Sequence, residues 1–542
     1  MKTYLQIGVV ILLFQACQNP TTSTPVGTDA RPQLGSVSLD VNGSEAAQPL
    51  FEDGLLYLHS FEYFDSKNAF IAAQKIDSSF GMAYWGELMS YNHSLWHRQL
   101  YKEAQQTLVR MGKTPALRQE KLKSELEKDL FKGMEILYGQ GDKLQRDKAY
   151  SNHMAGLYKK YPSNHEVATF YAVSLLGLAT STRDAQLYDK SAGILRKVLD
   201  QNPQHPGALH YFIHSRDYPT HAHLAIDAAE SYSKVAPDAA HALHMPSHIF
   251  IALGRWNDVV NANIDSWNAS VNKNTDHPMM PTSYHALAWL HYGLLQRGEY
   301  AMAETLLQKM YDYCQAKATQ EARSYLLAMK GAHIVETNNW EGPIANIAIQ
   351  VEDLNISKKA GFFYLEAMKG FYHKRPDYIG SVLKKVKDDK YLASLNLGKD
   401  RVQMCNAAGS GNRPATQKDI DMVTIMEMQM EARLAKLKGD EQKYLSIIKS
   451  AAALEEDISY DFGPPVIYKP INEEYAEALI EIKDYKSALE QYDKALTKHP
   501  RRLLSLRGKQ KVAELIGNKA MAKALSEDIA NSLAAKERRA IL

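Results

Sequence analysis

From residue 48 onward this chain repeats one unit: amphipathic helix, short break, amphipathic helix. That pattern limits the fold more than any other feature. Strand-type alternation is nearly absent. Two of the helix stops, Pro203 and Pro237, are 34 residues apart. A helix pair cannot bury its apolar face alone, so units repeating at such a period stack into a continuous core. The expected fold is therefore all-α, an α-solenoid of helix pairs. A length of 542 residues exceeds one ordinary core, and an array accommodates it. The chain is 45% hydrophobic and 23% charged, which excludes global disorder and a polytopic membrane protein. Its 64 Lys and Arg against 62 Asp and Glu leave a net charge of +2, so nucleic acid is not an expected partner. No Rossmann glycine pattern, phosphate loop or nucleophile elbow stands in a strand–turn–helix context.

The spacing within the units carries a resemblance. Tyr485, Ala488, Tyr492, Ala495 and Pro500 fall at the positions of a tetratricopeptide second helix: small residues for close approach, an aromatic to fill the gap, proline to stop. Gly298, Tyr300, Ala303 and Leu307 match the turn and second-helix start of another repeat. Ser66, Phe70, Ala73 and Ser78 match a third, and Leu157 to Pro162 ends a fourth more poorly. The chain thus resembles tetratricopeptide-repeat proteins over most of residues 48–540. The organisation expected is a signal at 1–16, a flexible tether at 17–47 and an N-terminal array at 48–313 with a histidine-rich concave face. Divergent helical repeats and a loop follow at 314–417, then a C-terminal array at 418–542. The loop is Leu395 to Gln417, around Gly409-Ser410-Gly411-Asn412-Arg413-Pro414.

Met1 and Lys2 precede an apolar run, Ile7 to Phe14, that is far shorter than the roughly 20 residues a bilayer span needs. Ala16-Cys17 follows. The segment resembles a bacterial lipoprotein signal, which implies that Cys17 becomes the lipidated first residue. An ordinary export signal with an incidental cysteine is the alternative. Gln18 is not acidic, which favours the outer membrane, with the side it faces open. The tether rests on Thr, Ser, Pro and Gly content. Cys314 and Cys405 remain, either paired or as two buried thiols.

Eight of the 19 histidines fall between residues 205 and 248, where an even spread would leave one or two. His210 and His214 are four apart on one helix face, and so are His244 and His248. The pairs are offset by 34 residues, one repeat. In tetratricopeptide proteins, positions 2, 5, 9, 12 and 13 of the first helix line the concave groove. Counting from the prolines, the resemblance puts His210 and His244 at position 5, His214 and His248 at 9, His241 at 2 and Asp217 at 12. Trp85, Asn92, His93 and His285 join the same surface by the same logic. Imidazoles so placed suit a divalent transition metal (Zn, Cu, Ni or Fe), with Asp217 completing the set. Hydrogen-bond ladders between repeats and direct recognition of a peptide or substrate are the alternatives. Neither pair has a glutamate in it, so a protease-type zinc site is excluded, and no general base is evident.

His210 to His214, then His244-Met245-Pro246-Ser247-His248-Ile249, also resemble a set of bacterial tetratricopeptide proteins that share both segments. Ala83 to Glu87, Gly254 to Trp256, Asn261 to Asn263, Pro464-Pro465 and Tyr468 to Pro470 extend the likeness over about residues 50–520. Members have Glu more often where this chain has Asp217. The likeness implies a shared pocket and carries no ligand with it. Tyr460 to Pro470 and Tyr91 to His97 are candidate walls of that pocket, or else connectors. The expected function is a cell-envelope binding or scaffold module whose polar groove holds a ligand, a metal, or a protein or peptide partner. It would touch the membrane through its lipid alone. A metal-dependent protein or enzyme built on the two His pairs is the alternative. A nutrient-capture lipoprotein of an outer-membrane transporter fits less well, because the repeats reach the C-terminus.

Overall fold

A computed structural model describes residues 31–179, 184–273, 281–395, 397, 415–458, 463–534 and 540–541. Among them the chain is an all-α array of tetratricopeptide-like helix pairs, with one two-residue hairpin pairing Asn92–His93 with Arg98–Gln99. Successive helices pack on one another. Gln48–His59 meets Tyr63–Ile76, which meets Gly81–Ser90; His165–Leu176 meets Ala185–Leu199, which meets Pro206–Arg216. No described helix is long and apolar enough to cross a membrane.

Local sequence sets the helix ends. Pro206 and Pro246 open their helices in the first turn, where a missing N–H costs nothing. Ser124 with Glu127, Asp142 with Gln145 and Thr416 with Asp419 form reciprocal caps. Gly254 and Gly298 take positive φ, +65° and +71°, in the turns between paired helices. The repeat residues do as their spacing predicts: Ala488, Tyr492 and Ala495 are buried between helices.

Two regions depart from the sequence reading. The first half of the tether, with Cys17 and the signal, lies outside the described residues. Residues 31–47 are no free tether. Leu34 and Val41 are buried, Ser36 N–H donates to Gln204 C=O (3.0 Å) and Ser44 N–H to Asp77 (2.8 Å). The Asn42 side chain donates to Glu127 (3.0 Å). Apolar side chains among the polar ones make the difference, each seated against the array. Gln33–Leu542 is one compact unit. Helix Tyr300–Ala316 runs through the boundary expected at 313/314, while the one at 417/418 falls at the start of Gln417–Leu437. Residues 398–414 of the loop, including Cys405, lie outside the described residues; Cys314 is buried.

The second departure is a return contact. Arg502 is fully buried, donates to Glu473 (2.9 Å) and Tyr292 (3.1 Å), and pairs with Glu336. Leu503 N–H donates to Gln296 (2.9 Å) and Trp256 Nε1–H to Arg501 C=O (2.9 Å). The C-terminal helix pairs are thereby fastened to the middle of the array.

Candidate metal centre

Six histidines meet in the interior. His210 and His214 come from helix Pro206–Arg216, His241 and His244 from Ala240–His244, His248 from Pro246–Ala252 and His285 from Pro281–Gln296. They were expected on an exposed concave face. They are buried, and even the most exposed, His285, shows 9% of its surface. Ring nitrogens of His210, His214 and His241 lie within 4.8 Å of one another, as do those of His244, His248 and His285.

The inward and outward nitrogens differ. His210 Nδ1–H donates to His59 C=O (2.7 Å). His214 and His248 donate from Nδ1 to one Asp217 oxygen (3.3 and 3.1 Å). His244 Nδ1–H donates to Asn263 Oδ1 (2.7 Å), and the Asn263 amide is fixed because its Nδ2 donates to Val259 C=O (2.7 Å). His285 Nδ1 meets the Tyr325 hydroxyl at 3.2 Å. Inward, His210 and His241 face each other Nε2 to Nε2 at 3.2 Å, and His244 and His248 do the same at 3.2 Å. Asp217, expected among the ligands, stands instead behind two of them. Its oxygen also groups with His214 and His248 within 4.8 Å, but through Nδ1 atoms already at hydrogen-bond distance.

This arrangement fixes protons. A carbonyl, carboxylate or amide oxygen accepts only, so His244 and His248 carry their hydrogen on Nδ1 and present bare lone pairs at Nε2. Two lone pairs 3.2 Å apart repel unless a cation lies between them. Two imidazole nitrogens held about 2.0–2.1 Å from a tetrahedral ion lie roughly 3.3–3.4 Å apart. Burial, reinforced by the neighbouring imidazoles, pushes His210, His241, His244 and His285 well below the ordinary histidine range. His285 Nε2 is buried and makes no hydrogen bond.

Aromatic rings wall the site. Phe61 lies 4.2 Å from His210, 5.8 Å from His241 and 6.3 Å from His214, centroid to centroid. It does so at φ +55°, a conformation that costs a bulky side chain about 1–3 kcal/mol. Trp96 meets Phe61 edge-on (5.1 Å) and approaches His241 (6.3 Å), so the 91–97 segment does close one side. Trp289 lies 4.6 Å from His248 and 4.9 Å from His244. A Cβ on Gly463 would sit 2.9 Å from the far edge of Trp289, so only glycine fits there. Gly463 lines a cavity of about 410 Å³ with Tyr218, His221, Trp256, Tyr292 and Pro465. Tyr460, Asp461 and Phe462 of the other wall segment lie outside the described residues, and Tyr468 packs on Gly331 and Gly361.

The remaining groove residues go elsewhere. Trp85 packs edge-on to Phe170 (5.4 Å), Asn92 donates to Ser94 (3.0 Å), and His93 stacks on Tyr63 (3.9 Å) and is pushed down to about 4, mainly by burial. Beside the six lies a group the sequence reading missed: His59, Glu166 and His205, all fully buried. His59 Nε2–H donates to Glu166 (2.6 Å), and the Tyr211 hydroxyl lies 3.2 Å from His59 Nδ1. His205 accepts Ala208 N–H at Nδ1 (3.2 Å), so its own hydrogen is on Nε2, 3.1 Å from Glu166. Burial works to raise the Glu166 carboxyl, but His205 and His59 outweigh it and hold it below the carboxylate range. Gly207 makes room, since a Cβ there would meet the His59 ring at 2.2 Å. Counted from Pro162 as the others are from their prolines, Glu166 is at position 2; that signal was in the sequence. Phe61 gave none.

No protein-family profile matches the chain, and no curated protein matches it in sequence. In fold it is similar to the human IFIT1 dimer with m7Gppp-AAAA (TM-score 0.33, 12% identity, covering 92% of this chain and 97% of that one). It is also similar to the Cut9–Hcn1 hetero-tetramer of APC/C (0.33, 11%, 92% and 75%) and to yeast Tom70 (0.30, 9%, 89% and 92%). Superpositions this loose bring no ligand, partner or activity to this chain; the array rests on its own helices.

Proposed function

We propose that this chain is an exported helical-repeat metalloprotein whose array encloses a polyhistidine centre for a first-row transition ion. One observation carries the reading: in the buried interior the Nε2 atoms of His244 and His248 face each other across 3.2 Å while their Nδ1 atoms both face oxygens. His285 Nε2 of the same triplet is buried without a hydrogen bond, and such an atom costs about 1–3 kcal/mol, which a purely structural histidine ladder has no reason to bear. An outer oxygen stands behind five of the six rings, which is also how metal-binding histidines are held. His210, His214, His241, His244, His248 and His285 would be the ligands, and Asp217, Asn263, Tyr325 and the His59 carbonyl would orient them.

Anchoring through lipid on Cys17 at the outer membrane is part of the proposal, supported by the N-terminal sequence alone. A protein or peptide partner, if the array holds one, would use surfaces other than the buried histidine face.

Elemental analysis of the chain purified without a histidine tag is the test. Stoichiometric metal in the wild type, lost or reduced in His244→Ala/His248→Ala, is the expected result. A metal-free wild type after growth and dialysis in metal-replete buffer would sink the reading. For the anchor, palmitate label is expected on the wild type and absent from Cys17→Ser; an unlabelled wild type rejects it.

A further inference from the structure

The six histidines divide by repeat. His210 and His214 occupy positions 5 and 9 of one repeat, and His241 is position 2 of the next. His244 and His248 occupy positions 5 and 9 of that next repeat, and His285 is position 2 of the one after. The same three-residue set thus occurs twice in successive registers, and the two triplets that this rule picks out are the two whose nitrogens converge within 4.8 Å. The third members are 44 residues apart rather than 34, and the extra length includes helix Trp256–Lys273, of 18 residues against 10 in its counterpart Ile226–Val235. One repeat earlier, positions 5 and 9 hold Thr169 and Val173; one later, Ala288 and Tyr292. The duplication is confined to these two registers.

We infer that the centre is dinuclear, one first-row d-block ion in each three-histidine site, with a small anion such as hydroxide between them; this rests on the metalloprotein reading above. Each triplet has its own close Nε2 pair at 3.2 Å, which is one ion's worth of contact. The triplets abut, with ring centroids 5.3 Å apart for His214 and His248 and 5.9 Å for His241 and His244. Asp217 binds the two together, because one carboxylate oxygen orients His214 of the first site and His248 of the second. Charge argues for the anion. Six neutral imidazoles bring none, and Asp217 alone cannot offset two buried divalent ions. Three nitrogens per ion leave a coordination position for the bridge. Imidazole donors suit copper and zinc, with nickel and iron behind them in availability to such a set.

The experiment loads untagged, full-length chain separately with Cu(II), Zn(II), Ni(II) and Fe(II), removes loose metal and counts ions per chain. Two ions are expected in the wild type. One each is expected in His241→Ala, which opens the first site, and His285→Ala, which opens the second. Copper-loaded wild type should give a spin-coupled electron paramagnetic resonance signal, and each variant an uncoupled signal of one spin. A single ion in the wild type overturns the dinuclear assignment but leaves the metalloprotein reading standing; no ion overturns both. Two uncoupled copper spins in the wild type also overturn it. Because the wild-type count and spectrum decide by themselves, a variant that folds poorly leaves the test intact.

Discussion

Two histidine clusters lie side by side in this interior, and they are built to opposite rules. In the His59–Glu166–His205 group the His59 ring hydrogen goes to one carboxylate oxygen and His205 Nε2 lies 3.1 Å from the other, and the carboxylate is held ionised by its partners. In the six-histidine centre His210, His214, His244 and His248 turn Nδ1 outward to acceptor oxygens, and Nε2 atoms turn inward, nitrogen to nitrogen. Both bring three possible ligand atoms within 4.8 Å of one another. Only in the second do ring nitrogens face one another, which is the arrangement the proposed cation would use. Closeness of histidines and carboxylates therefore says little; the placement of protons says which cluster is structural and which is a site.

The largest effect expected from breaking this contrast is at Glu166. Glu166→Ala strands two imidazole N–H groups in a dry core, and loss of one partner from a buried charged network costs about 3–5 kcal/mol. Chemical denaturation should show that loss, with metal per folded chain unchanged. Metal supplies the next effect. An ion at 100 times its Kd stabilises the wild type by about 2.7 kcal/mol per site, so chelation should lower its Tm, and lower that of His244→Ala/His248→Ala, which keeps the first triplet, about half as much. Asp217→Asn follows, since loss of an outer partner weakens metal binding by about 10–100-fold, or 1.4–2.7 kcal/mol, measured by competition with a chelating dye. Here both ions should weaken together, because Asp217 serves both triplets. The smallest effect sharpens the comparison most. In metal-free chain His285→Leu removes a buried Nε2 that has no hydrogen bond together with the Nδ1 contact to Tyr325, two opposing effects, so its stability should stay within about 1 kcal/mol of wild type.

Much of this was legible in residues. Prolines and small residues at fixed offsets marked the helix pairs, because stacking demands them. The 34-residue offset marked the histidine pairs as equivalent, and the groove positions gathered His241 and His285 to the same surface. What failed was long-range. The face is buried because helix Gln48–His59 lies against Pro206–Arg216 and the C-terminal pairs return to the middle, and a repeat pattern encodes only neighbours. Position 12 brings Asp217 to the histidines, where it meets two of them at Nδ1 and also groups with them as a possible ligand, a distinction that the register alone does not make. Trp85 and Asn92 share the register but pack on Phe170 and Ser94. Phe61 sits over three histidines about 150 to 180 residues downstream through a left-handed turn that its sequence does not announce.

The most direct measurement is an anomalous-difference map at the absorption edge of the bound metal, from crystals of untagged chain. The account predicts one peak among the Nε2 atoms of His210, His214 and His241 and a second among those of His244, His248 and His285, with none at His59, Glu166 and His205. A peak at the Glu166 cluster, or metal-loaded crystals with no peak among the six histidines, would contradict it.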